Sequence, residues 1–144
     1  MKWITRAHVH VDRVACPWLI TRFIDANAEF LFVDAASAAK VAGEQNAIPF
    51  DIPDAELGHH EGHCSFVSII NKYGLKDKAL LKLADIINAA DTGQPDKNQY
   101  ATGLEAIARG YGILYPFDPE NLKHQFTVYD ALYAFCKMQA ASEK

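Results

Sequence analysis

The chain reads as an α/β domain, with α+β as the alternative: a small, partly parallel three-stranded sheet in its first third, helices packed on it, and a mostly helical remainder. Two patterns predict this. Short runs rich in β-branched and aromatic residues alternate with helical patterns up to about residue 52, and after Cys64 the apolar residues recur only at helical spacing. Composition supplies a third observation. Of 144 residues half are apolar and 22% charged, with a formal net charge of −4, as in ordinary globular chains. The length fits one domain, residues 1–144, large enough to enclose a core.

Lys2–Val11, Glu29–Val33 and Ile48–Ile52 are the strand candidates, and the β-α-β-α-β order favours parallel pairing. Between the first two runs Pro17 marks a helix start: its fixed φ suits a first helical position, which makes Cys16 the cap. A second frame caps the helix at Asp12 and leaves Pro17 to distort it past the first turn. The alanine-rich Ala35–Glu44 is a further helix ending near Gly43. Ser65 can cap a helix running to Tyr73 and closed by Gly74, and Asp77 can cap another through Leu80, Leu83, Ala84 and Ile87 to Asp91-Thr92-Gly93. Gln94–Asn98 reads as an exposed loop. A short helix over Thr102–Arg109 stops before Gly110-Tyr111-Gly112. Asp118-Pro119-Glu120 starts the last helix, with Asp as cap, and places Leu122, Phe126, Tyr129, Tyr133 and Cys136 on one face.

Function classes narrow from the same counts. Lys and Arg are scattered and outnumbered by acids, which argues against direct nucleic-acid binding by this chain alone. No apolar run is long enough for a membrane span or a signal peptide, so the expected setting is cytoplasmic. Three cysteines in odd number, Cys16, Cys64 and Cys136, read as reduced thiols in keeping with that setting.

Two segments can carry chemistry. Asp12-Arg13-Val14-Ala15-Cys16-Pro17 aims a thiol at a helix start, where the dipole and the guanidinium of Arg13 or Arg22 favour thiolate; the alternative is a small buried apolar residue. Gly58-His59-His60-Glu61-Gly62-His63-Cys64 sets three imidazoles and a thiol between glycines, ligands suited to borderline transition metals but without the spacing of a closed zinc motif. The alternative there is a polar surface loop. Asp91 ends an apolar helix, where the carbonyl dipole disfavours an acid, and so calls for a metal, an Arg or a turn to cap. Arg13 can bind an oxyanion or pair with Asp12 or Asp25.

These blocks resemble the chromate resistance protein family, specifically the C-terminal domain of ChrB-type chromate-responsive proteins. The similarity runs nearly end to end, through Asp12-Arg13-x-x-Cys16-Pro17-Trp18-Leu19-Ile20-x-Arg22-Phe23-Ile24-Asp25, Ile48-Pro49-Phe50-Asp51-Ile52-Pro53, Leu57-x-His59, Cys64-x-Phe66, Lys72-Tyr73-Gly74-Leu75, Ala90-Asp91 and Tyr129-Asp130-Ala131-Leu132-Tyr133. The resemblance implies chromate sensing or resistance, with any DNA-binding role left to a separate N-terminal domain. Two positions depart from the family pattern, which commonly has an acid three residues after Cys64 and a His three before Asp91; here they are Val67 and Asn88.

The leading expectation is therefore a cytosolic domain holding a divalent transition metal (Zn, Fe or Mn) or a small oxyanion such as chromate. Its metal ligands would come from His59, His60, Cys64 and Asp91, with Asp12 beside them; Arg13 and Arg22 would bind the oxyanion, and Cys16 with Arg13 would act in any catalysis. Chromate is a tetrahedral dianion suited to a helix N-terminus with guanidinium donors, and a thiolate can reduce it, yet thiolate and dianion repel unless Cys16 is neutral, metal-bound or flanked by Arg. Two rivals stand: a metal- or thiol-dependent redox enzyme acting on chromate or superoxide, and an interaction module without a ligand of its own. A homodimer is left open, and no membrane partner is expected.

Overall fold

A computed structural model describes residues 1–143. Among them are β1 (Lys2–Arg6), α1 (Asp12–Phe23), β2 (Glu29–Val33), α2 (Ala38–Gln45), β3 (Ile48–Pro49), α3 (Ser65–Lys72), α4 (Lys78–Asp91), α5 (Ala101–Leu114) and α6 (Asp118–Ser142), with one 3-10 turn at Pro95–Lys97. The sheet has the order β2-β1-β3 and every pairing is parallel. Trp3 and Ile4 of the central strand are fully buried, as a strand covered on both faces must be.

Several element boundaries correct the expectation. β1 ends at Arg6, because His8 and Val11 take positive φ and turn the chain before α1. Cys16 is not a cap. The helix opens at Asp12 after Val11, close to the second frame, and Pro17 lies inside it. There the ring removes the N–H that would reach the Arg13 carbonyl, a cost of about 3 kcal/mol, and the buried row Val14–Ile20 offsets it. α2 begins three residues late because the Asp34 carboxylate accepts from the Ser37 N–H in a turn of its own. α3 begins at Ser65 with Cys64 at the cap position, and Asp77 caps α4 by accepting from Ala79 and Leu80.

α5 runs through Gly110 and Gly112, past the expected stop. Each glycine costs about 1 kcal/mol against alanine in a helix, but Ala101, Leu104 and Ala108 are buried and Tyr115 stacks on His124 at 4.0 Å. Asp118 likewise does not cap its own helix. Its carboxylate accepts from His8 and Val9 N–H, both at 2.9 Å, and so fastens the β1–α1 turn to α6.

The long α6 braces α1. Tyr129 donates its hydroxyl to the Val11 carbonyl from a fully buried position. Trp18, packed against Phe23, Tyr129 and Tyr133, donates its indole N–H to Asp130 at 2.7 Å, and Arg22 grips the same carboxylate through Nε and Nη2. The Arg22 hydrogen bond, with help from Trp18, holds Asp130 below the ordinary carboxylate value. A depressed carboxylate stabilises the fold above its unfolded value, and that contribution is lost as pH falls through the folded one. Asp130→Asn, which keeps an acceptor for Trp18, should therefore cost about 1 kcal/mol at pH 7 and the gap should close below about pH 4. Urea unfolding at both pH values checks it; a gap undiminished in acid contradicts the assignment.

Candidate metal centre

A three-stranded parallel sheet whose central strand comes first has a switch point: the chain leaves β1 for β2 on one side and reaches β3 on the other. Ligand sites in such sheets form outside the carboxyl ends of the strands at this point. Here those ends supply Arg6 from β1 and Asp51 just after β3, and α1 starts beside them with Asp12. Val11 (φ 20°) and Asp51 (φ 49°) both have positive φ. For a β-branched residue that costs of order 1–3 kcal/mol, and such outliers gather where a site fixes the backbone.

Asp12 is completely buried. Its two oxygens accept from the backbone N–H of Ser65 at 2.7 Å and Phe66 at 3.0 Å, so α1's first residue satisfies the first turn of α3. The positive end of α3 in turn makes the buried charge tolerable. Asn88 of α4 completes the cap by accepting from the Cys64 N–H at 2.8 Å. Asn88 thus has a structural task, and Val67 is a half-buried residue packed against the core.

His59 enters from the loop after β3. Gly58 suits the close approach there, since a Cβ would stand 3.0 Å from the Ile52 carbonyl oxygen and 3.1 Å from that of Ala55 and would press on both. Three carboxylates surround His59 Nε2: Asp91 at 3.0 Å, Asp51 at 3.2 Å and Asp12 at 3.6 Å. One ligand atom each from Asp12, His59 and Asp91 lies within 4.8 Å of the other two, close enough to share one ion. Asp51 meets this set at its His59 corner and is held from behind, accepting from Ser65 Oγ at 2.8 Å and pairing with Arg13 at 3.3 Å and Arg6 at 3.6 Å.

Crowding of like charge is the dominant electrostatic fact. Burial first, then the carboxylates of Asp12 and Asp51, push Asp91 up to about 7, against the opposing effects of His59 and the Asp12 N–H. Burial and Asp12 also raise Asp51, despite its bonds to Ser65 and Arg13. Asp12 chiefly, with the charges of Asp51 and Asp91, lifts His59 to about 9, although the shortest contact is to Asp91. Such a cluster wants a cation, and a proton on His59 is the one the side chains themselves supply.

The structure brings His59, Asp91 and Asp12 together and sets Arg13 behind them, reaching the site through Asp51. It does not bring in the others. His60 Nε2 turns to the carbonyls of Ala55 and Glu56, while His60 and His63 bridge each other's backbones around Glu61 and Gly62, whose positive φ values make a tight turn. Arg22 is committed to Asp130 on α6. Cys64 is buried at the start of α3, and burial with the charge of Asp12 raises its thiol strongly. Cys16 is a buried second-turn thiol that donates to Asp12 at 3.4 Å; burial, then Asp12, raises it well above the ordinary value. The expected thiolate at a helix start is thus replaced by a neutral donor supporting Asp12. Asp51 and Arg6 have no assigned role in the sequence and Ser65 only that of a helix cap; the signal that could have found the first two is their strand-end position.

No solved structure matches this chain. The family model for the ChrB C-terminal domain matches residues 3–136. Protein ChrB of Cupriavidus metallidurans is 36% identical over 133 residues, which is 92% of this chain and 40% of that protein. The chain therefore spans well under half the length of this curated relative. Together, a family match over nearly all of its length and this level of identity place the chain in the ChrB C-terminal domain family.

Proposed function

We propose that this domain binds one divalent transition-metal ion through Asp12, His59 and Asp91, and that this centre serves a chromate-resistance or chromate-sensing role. The observation that carries the reading is the convergence of one imidazole and two carboxylates from three separate elements within 4.8 Å. Two oxygens and one nitrogen suit Mn, Fe or Zn better than a soft ion, and three protein ligands leave a position open. Metal binding requires neutral imidazole, so the ion takes the place of the proton on His59 Nε2 and relieves the repulsion among the carboxylates. Asp51 meets His59 at the same Nε2, at 3.2 Å, so the ion would take the place of that contact too and leave Asp51 as a neighbouring carboxylate beside the set.

An open, charged centre of this kind can bind or turn over a small oxygen species. A thiol route through Cys16 is less well supported, since Cys16, Cys64 and Cys136 are all buried and all have raised thiols.

Metal-free protein titrated with Mn²⁺ or Zn²⁺ should take up one ion per chain. His59→Ala and Asp91→Asn should each weaken uptake at least about tenfold, the lower bound seen even for outer-shell partners, while His60→Ala and His63→Ala should leave it unchanged. Undiminished binding by a His59→Ala, Asp91→Asn double variant would sink the assignment. For the thiols, a short iodoacetamide pulse at neutral pH should modify none of the three in the native fold. Labelling of Cys16 ahead of global unfolding, read by mass spectrometry, would restore the thiol route.

A further inference from the structure

We infer that the cavity beside His59 is a metal-dependent anion site in which Arg6, not Arg13 or Arg22, provides the guanidinium. The inference rests on the metal reading above and names the class of ligand that the open position would take: a small oxyanion with at least two oxygens, one for the ion and one for Arg6.

The cavity has a volume of about 270 Å³ and is lined by Arg6, His59 and the Asp51–Ala55 turn. It shares His59 with the ligand set and is roomy enough for a small oxyanion and several waters, each of which takes about 30 Å³. The three arginines differ in what they have left to give. Neither Arg22, which holds Asp130 through Nε and Nη2, nor Arg13, which gives Nη1 to Asp51 and Nη2 to the His8 carbonyl and keeps a buried Nε without a partner, lines the cavity. Arg6 gives Nε to the Asp51 carbonyl oxygen and rests Nη2 at 3.6 Å from the Asp51 carboxylate. Among the described residues Nη1 of Arg6 has no acceptor, and the side chain is 38% exposed at the cavity wall.

Charge decides the order of binding. In the empty centre Arg6, Arg13 and the proton held by His59 balance the carboxylates of Asp12, Asp51 and Asp91, and Asp54 stands at the exposed rim, so an anion meets no net attraction. A divalent ion that replaces the proton makes the inner wall positive, while Asp54 is screened by water. The anion then meets a metal on one side and a free guanidinium N–H on the other. Metal must therefore bind first, and the empty protein must bind the anion weakly.

Cobalt(II) as the ion and inorganic phosphate as the anion test this on the full chain. Phosphate should shift the visible bands of the cobalt-loaded protein saturably. Arg6→Ala should weaken that response about tenfold, as loss of one charge-assisted hydrogen bond implies, and Arg6→Lys should recover part of it. All three proteins should still take up one cobalt per chain, and phosphate is titrated at saturating cobalt, so that the anion contact is read separately from any change in cobalt affinity. Equal phosphate affinity in Arg6→Ala, a phosphate-blind cobalt spectrum, or equal phosphate uptake by metal-free protein in equilibrium dialysis would each overturn the anion site alone. Failure of cobalt to bind at all would overturn the metal reading, and this inference with it.

Discussion

Asp12 is a carboxylate with no exposed surface, and the arrangement of the site follows from what it takes to keep it there. An isolated buried charge costs several kcal/mol or more unless it is hydrogen-bonded. Two backbone N–H groups at the start of α3, the Cys16 thiol and the nearby imidazole of His59 provide that compensation. The requirement runs both ways. α3 has no side-chain cap of its own, so its first turn depends on Asp12 as much as Asp12 depends on it. Fixing the starts of these two helices to each other draws the loop between β3 and α3 towards the sheet's carboxyl edge and delivers His59 to the same point.

The surrounding braces serve this placement. Tyr129 and Asp118 of α6 hold the backbone of the β1–α1 turn, at Val11, His8 and Val9, which keeps α1 opening at Asp12 despite the positive φ of Val11 and the interior Pro17. Asn88 and Asp91 lie three residues apart on α4, so the same helix end caps α3 and lends a carboxylate to the cluster. Rigid elements thus carry two of the three ligands, which is what a site of fixed geometry needs.

Much of the fold was legible because it rests on local signals: β2 was bounded correctly by its β-rich run, α4 by the Asp77 cap, and the parallel sheet by the alternation of strands and helices. Where the reading failed, a distant partner had outvoted a local cue. Pro17 reads as a helix start, yet the buried row around it and the bonds of Asp12 fix the start five residues earlier. Asp118 reads as a cap, but two N–H groups near β1 claim it. In the site, His59 and Asp91 were visible by residue type and by awkward placement, and Asp12 by its neighbours. His60 and Cys64 were adjacent in sequence to a true wall of the site, and adjacency in a loop does not fix direction. Asp51 and Arg6 were hidden because strand order, which brings the ends of β1 and β3 together, is a long-range property that no local pattern encodes.

Anomalous scattering from a crystal of the protein grown with Mn²⁺ or Zn²⁺ tests the central claim most directly. The account predicts one peak per chain at bonding distance, about 2.0–2.2 Å, from oxygens of Asp12 and Asp91 and from His59 Nε2. A peak at the His60–His63 turn or at the cysteines, or an empty cluster with His59 still lodged among the carboxylates, would contradict it.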